Sequence, residues 1–176
     1  HPAFETDPDP DTAVLDRGAV AEALDSLNAA GEYDGLTAED VYISGKIPFA
    51  FNYADGSTDV THDNDRQGDH GTHVAGIIGA DGPDADVAGL APKAQLLIMK
   101  VFGNSEDSAS ETMLLAALED AVLLGADVIN MSLGTPAGFS GGTVSYIKAL
   151  DAAAEAGIIV CAAAGNDYSS AYGNVS

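Results

Sequence analysis

Two histidines stand three residues apart in the run Asp69-His70-Gly71-Thr72-His73-Val74-Ala75-Gly76. An imidazole titrates near neutrality and can take and return a proton, so His70 is a candidate general base. A His-x-x-His pair on one helical face could also hold zinc. No Glu follows the first histidine and no cysteine lies nearby to complete a ligand set, so zinc is set aside. For His73 the structural reading is preferred, as a packing and orienting residue of the core. Further along, Asn130-Met131-Ser132-Leu133-Gly134 and Ala162-Ala163-Ala164-Gly165-Asn166 each close an apolar run. An asparagine placed after a buried strand and a glycine can aim its amide into a crevice, where an N–H donor suits a developing oxyanion. Gly-Asn alone would read as a tight turn; with the histidine motif and Asn-Met-Ser-Leu-Gly in this order, the chemical reading is stronger. Gly138-Phe139-Ser140-Gly141-Gly142 imitates a nucleophile elbow. No histidine follows Ser140, as that arrangement requires, and it is read as a glycine-rich loop.

The elements that must carry these groups follow from periodicity. Residues 69–80 form a helix capped by Asp69, with Val74, Ile77 and Ile78 turned to the core. Gly71, Gly76 and Gly79 are costly in a helix, which implies other backbone pressed against it. Upstream, residues 13–30 predict a helix stopped at Gly31, with Val14, Ala21, Leu24, Leu27 and Ala30 as its stripe. Residues 31–45 read as a surface connection, and residues 46–53 as an extended segment whose Pro48 puts it near a sheet edge or strand start. Apolar runs at 94–102, 127–133 and 158–163 predict buried strands, separated by helices at 110–125, capped by Ser110, and at 142–156. Strand, helix, strand, helix, strand predicts an α/β fold, a three-layer, doubly wound parallel sheet covered on both faces. In such sheets the working residues gather at the C-terminal strand ends. The loops there are 103–109, 132–140 and 164–168.

Composition narrows the partners. The chain has 176 residues, enough for one domain with a sizeable core. Its 6 Lys and Arg against 28 Asp and Glu give a net charge of −22, which argues against nucleic acid and anionic membrane surfaces. No segment is long and apolar enough for membrane insertion. The single Cys161 excludes an internal disulfide and reads as an inert core residue. Asp63-Asn64-Asp65-Arg66-Gln67-Gly68 imitates the start of an EF-hand loop, but Gln67 and Val74 occupy positions where ligands are required. The acidic loop 81–88 is read as a solvated turn, with calcium as the alternative. The chain opens at His1 with neither an initiator methionine nor a signal peptide, so a preceding portion is expected.

The three motifs together resemble the subtilisin-like serine peptidases. Residues 46–55, the long insertion before them and residues 94–102 resemble more narrowly the large cell-envelope proteinases of the lactocepin kind. The resemblance covers nearly the whole chain, so residues 1–176 are expected to be the N-terminal part of a subtilase catalytic domain, with 5–45 as an insertion carrying a helix. It implies a subtilisin-like fold, incomplete here. His70 is then the general base, His73 structural, and Asn166 the oxyanion-hole donor. Ser132, Leu133 and Gly134 would pair with peptide substrate along one wall of the S1 pocket. Ala163, Ala164 and Gly165 would form the facing wall, and residues 103–109 would line the other side of the substrate strand. Glu106 and Asp107 there point to tolerance for basic side chains. The family's calcium site would fall near residues 81–87, interrupted by Pro83. No other cofactor is implied, and the location implied is secreted or cell-envelope associated.

The departures set a second expectation. In the family the catalytic Asp lies a few residues before a His-Pro pair, and this chain opens at His1-Pro2. The nucleophile lies in Gly-Thr-Ser-Met-Ala, a sequence absent here. The chain alone is therefore expected to be inactive, since the missing Asp orients the imidazole and the missing Ser forms the acyl-enzyme. Sheet strands expected on both sides are absent too, so exposed apolar edges and self-association are anticipated. The rival reading is a non-catalytic binding or scaffold domain that kept the fold and lost the chemistry.

Overall fold

The computed structural model describes residues 2–5, 14–61, 68–82, 88–104, 108–134 and 143–166. Asp16 caps the first helix by accepting the Ala19 N–H at 2.8 Å, so the helix begins at Arg17, four residues later than the periodicity placed it. The predicted helix at 13–30 is in fact two, α1 (Arg17–Ala23) and α2 (Asn28–Glu32), separated by a short 3-10 turn. Leu27 between them is extended, so the chain changes direction and buries Val20, Leu24, Leu27 and Ala29 while Val14 is exposed. Gly31 lies inside α2 rather than after it. The connection that follows contains a third helix, α3 (Ala38–Val41). There the Asp40 carboxylate accepts the Thr37 N–H at 2.9 Å and its hydroxyl at 2.6 Å, and these bonds hold its pKa below the ordinary value.

Pro48 directly precedes β1 (Phe49–Asn52), which is buried at all four positions. It pairs in parallel with β2 (Leu97–Lys100), Phe49 opposite Leu97 and Asn52 opposite Lys100. The helix α5 (Glu111–Leu123) begins as expected, with Ser110 Oγ accepting the Met113 N–H at 3.3 Å. It leads to β3 (Val128–Met131); α6 (Thr143–Glu155) then leads to β4 (Ile159–Ala162), parallel to β3 with Val128 opposite Ile159. The α/β class with parallel strands and covering helices is present. Among the described residues the strands form two two-stranded parallel sheets, β1–β2 and β3–β4, with no hydrogen-bonded strand pairing between them. Among the same residues β1 is buried on both faces and β2 is half-buried on both. Ile129, Met131 and Val160 face the core, whereas Val128, Asn130, Ile159 and Cys161 lie on a bare face. The expectation of a core cysteine is thereby corrected: Cys161 is exposed, because it points away from the helices that cover its strand.

The core sits where α1, α2 and α3 meet β1 and α5, joined by Met131 and Tyr146. Two buried polar groups tie it together. The Asp120 carboxylate on α5 accepts four donors: Asn28 N at 2.7 Å and Asn28 Nδ2 at 3.0 Å on one oxygen, Ala29 N at 3.0 Å and the Tyr53 hydroxyl at 2.7 Å on the other. It thus caps α2 from another element, satisfying N–H groups that have no partner within that helix. Burial, together with the charge and hydrogen bond of Asp120, drives the Tyr53 phenol far above its ordinary pKa. The enclosed Lys46 ammonium donates to the carbonyls of Pro92 at 2.7 Å and Ala94 at 2.6 Å. Desolvation lowers its pKa, with Asp81 opposing the shift.

Candidate active site

The helix α4 (His70–Gly79) begins at the histidine motif. Asp69 occupies the N-cap position, yet its side chain does not cap the helix; its Oδ2 lies 3.2 Å from His73 Nε2, one turn on. An i, i+4 partner has won over the free N–H groups of the first turn. His73 is therefore an exposed residue paired with Asp69, not a packed core histidine. Of the face read as core-directed, Val74 and Ile78 are half-buried and Ile77 is 66% exposed. The expected close backbone approach occurs at the far end of the helix. The N–H groups of Gly89, Leu90 and Ala91 donate to Ala80, Ile77 and Ile78 at 2.8, 2.9 and 2.7 Å, satisfying carbonyls that α4 itself leaves open. A Cβ on Gly89 would lie 2.6 Å from the backbone nitrogens of Gly79 and Ala80, so only glycine fits there. Gly71 and Gly76 have open space instead.

Held at its C-terminal end, α4 presents His70 at its free end. His70 Nε2 lies 3.2 Å from the backbone carbonyl oxygen of Ser132, the residue after β3. Asn130 Nδ2 donates to Ser132 Oγ at 3.0 Å, steadying the same residue through its hydroxyl. The Ala163 N–H donates to Met131 O at 3.1 Å, which carries the pairing of β3 with β4 one step past the last strand residue. Ser132, Leu133 and Gly134 thus leave the same end of one parallel pair as Ala163, Ala164 and Gly165. Leu133 is half-buried against the core; Ser132, Gly134, Ala164 and Gly165 are exposed. Gly165 adopts φ +80, a conformation that favours glycine, and turns the chain immediately before the exposed Asn166. No hydrogen bond joins the Asn166 carboxamide to another described residue.

A carbonyl oxygen only accepts, so Nε2 carries the proton in the contact with Ser132 and a neutral ring has its lone pair on Nδ1. A histidine that removes a proton through Nε2 needs the other tautomer, with the proton on Nδ1, and a carboxylate at Nδ1 enforces it. The ring lies at the end of β3, and the opposite tautomer would call for an acceptor on the Nδ1 side.

The other sequence-predicted features are placed in part. Of the calcium loop at 81–87, residues 83–87 lie outside the described residues. The Asp81 carboxylate is bonded to the Lys93 ammonium at 2.9 Å, so the one described acid of that loop already has a cationic partner. Among the described residues no cluster of three or more His, Cys, Asp or Glu is arranged to hold a metal ion. Glu106, Asp107, the segment 63–67 and Ser140 also lie outside the described residues. Two residues near the strand ends carry contacts that the motifs do not assign. Asn130 lies inside a motif that gives it no role of its own, and Asp55 has one partner close in the chain, Asn52, and another, Asn104, on a distant loop.

The sequence model of the subtilase family (peptidase S8) matches residues 13–175. A PII-type proteinase of Lacticaseibacillus paracasei is 47% identical over 132 residues, covering 71% of this chain and 7% of the relative. A PI-type proteinase of Lactococcus lactis subsp. cremoris is 46% identical over 132 residues, again 71% of this chain and 7% of the relative. The chain therefore corresponds to a small part of these proteins. Among solved structures, a point mutant of the protease domain of PatA is similar with a TM-score of 0.54 at 32% identity, over 62% of this chain and 39% of that one.

Proposed function

The chain belongs to the subtilase family, and from that premise we propose that it is the N-terminal part of the catalytic domain of a secreted or cell-envelope serine endopeptidase. Its fold is the α/β subtilisin-like one, present in part. The full-length enzyme hydrolyses peptide bonds of protein substrates through an acyl-enzyme. His70 takes the proton from the nucleophilic serine and returns it to the leaving amine. Asn166 donates to the oxyanion, and Ser132–Gly134 and Ala163–Gly165 (residues 132–134 and 163–165) flank the substrate at S1. Residues 5–45 are an insertion that carries a helix. The nucleophile and the acid that orients His70 belong to other parts of the protein, so residues 1–176 alone are without peptidase activity. The exposed face of β3–β4, where Val128 and Ile159 lie open, leads this isolated chain to self-associate.

The observation that carries the reading is the contact of His70 Nε2 with Ser132 O, which brings the histidine motif to the end of β3. The test is made on the full-length protein. Protein hydrolysis by the wild type, lost in His70→Ala, supports the endopeptidase. A full-length protein that lacks the acid and serine motifs and cleaves nothing is the scaffold instead. Fluorophosphonate labelling of residues 1–176 alone would contradict the predicted inactivity.

A further inference from the structure

β1 ends in a fully buried carboxamide, that of Asn52, with all its hydrogen-bonding capacity in use. Oδ1 accepts the N–H groups of Ala54 and Asp55 at 3.1 Å each; Nδ2 donates to Asp59 O at 2.9 Å and to Asp55 Oδ2 at 2.8 Å. The turn so built is closed by an antiparallel bridge between Asn52 and Ser57. At its tip Asp55 reaches the loop that leaves β2: the Asn104 N–H donates to Asp55 Oδ2 at 3.2 Å. A Cβ on Gly103 would lie 2.7 Å from Asp55 Oδ1, so that backbone is pressed against the carboxylate. A buried amide is tolerated only when satisfied on every side. What this one achieves is a single carboxylate held rigidly against the first two residues of the loop.

We propose that Asp55 is a positioning residue for substrate, fixing Gly103 and Asn104 as a wall for peptide residues remote from the bond that is cut. The inference rests on the endopeptidase reading above. The loop leaves the carboxyl end of β2, and in parallel sheets the substrate crevice lies outside those ends. Asp55 touches neither His70 nor Ser132 through any hydrogen bond among the described residues, so its effect scales with how far the peptide extends.

The experiment uses the full-length enzyme and two chromogenic peptides with the same residue at the cleaved bond, one with a single residue before it and one with four. Asp55→Ala is expected to lower kcat/KM on the long peptide roughly tenfold, the scale of one charge-assisted hydrogen bond, and to leave the short one within about twofold. Asp55→Asn, whose amide oxygen can still accept from Asn104, is expected to restore the long peptide to near the wild-type value. Gly103→Ala displaces the same contact without altering Asp55 and should give the same length-dependent loss. No effect of Asp55→Ala on the long peptide, or equal losses on both lengths in Asp55→Ala and Gly103→Ala, overturns the role of Asp55 while leaving the peptidase reading intact. A wild type that cleaves neither peptide nor any protein substrate overturns both.

Discussion

Replacing Asp120 by asparagine should destabilise the chain by about 2–5 kcal/mol, and the figure follows from counting acceptors. The carboxylate offers two oxygens and each holds two donors. The amide offers one. If its NH2 faces Ala29 and Tyr53, the phenol can rotate and accept, but the Ala29 N–H cannot. If it faces Asn28, that side chain can flip, but the Asn28 N–H cannot. Either placement leaves one backbone donor of α2 without an acceptor, a loss of about 1–3 kcal/mol. The surviving bonds also lose their charge-assisted share, of order 1 kcal/mol each, offset by removing a buried charge. Tyr53→Phe alone should cost about 1–2 kcal/mol, and less in the Asp120→Asn background, since the two share a bond. Urea unfolding of residues 1–176 followed by far-UV circular dichroism gives the numbers, as a shift in midpoint at unchanged slope. A shift worth under about 1 kcal/mol, or strict additivity of the two substitutions, would refute the reasoning.

Alkaline pH should unfold the chain through Tyr53. Its folded pKa lies far above the ordinary phenol value, so above about pH 10 the unfolded state releases a proton that the folded state keeps, and stability falls by roughly 1.4 kcal/mol per pH unit; Tyr53→Phe should flatten that slope, and an unchanged slope contradicts it. In the full-length enzyme Asn166→Ala should lower kcat about 10²–10³-fold with KM little changed, a scale known from subtilisin itself and carried over by resemblance; a loss confined to KM would remove Asn166 from the oxyanion hole. Gly76→Ala, with open space around it, should stabilise residues 1–176 by up to about 1 kcal/mol. Gly89→Ala, pressed on the backbone of α4, should destabilise by about 1–3 kcal/mol, and thermal melts that rank the two in the opposite order defeat this account. With a net charge of −22, raising sodium chloride from about 0.05 to 0.5 M should raise the melting temperature by screening self-repulsion, and a fall would contradict that.

What could be read from the sequence was whatever its neighbours in the chain decide. Ser110 and the apolar spacing after it located α5, Pro48 marked the start of β1, and the three later strands stand where their apolar runs lie. The break between α1 and α2 was not legible, because the acceptor for Asn28 and Ala29 is Asp120, about ninety residues away. Asp69 could be placed at the head of α4 but not given its partner, since capping and pairing with His73 compete within one turn and differ by little. For Ile77 and Cys161 the apolar pattern states which side wants cover and is silent on whether cover is supplied. The same limit holds for the site. The motifs located His70 and Ser132, while the contact that fixes the tautomer and the reach of Asp55 to Asn104 emerged only once distant segments were placed side by side.

The open thiol of Cys161 makes the molecule its own gauge of cover on that face. A maleimide should react with it readily in the isolated chain, where Val128 and Ile159 share its uncovered side. If further chain packs on that side in a full-length protein, the same reagent should be shut out. The rate at which that sulfur is alkylated would then time the closing of the domain during refolding, without any label having to be engineered in.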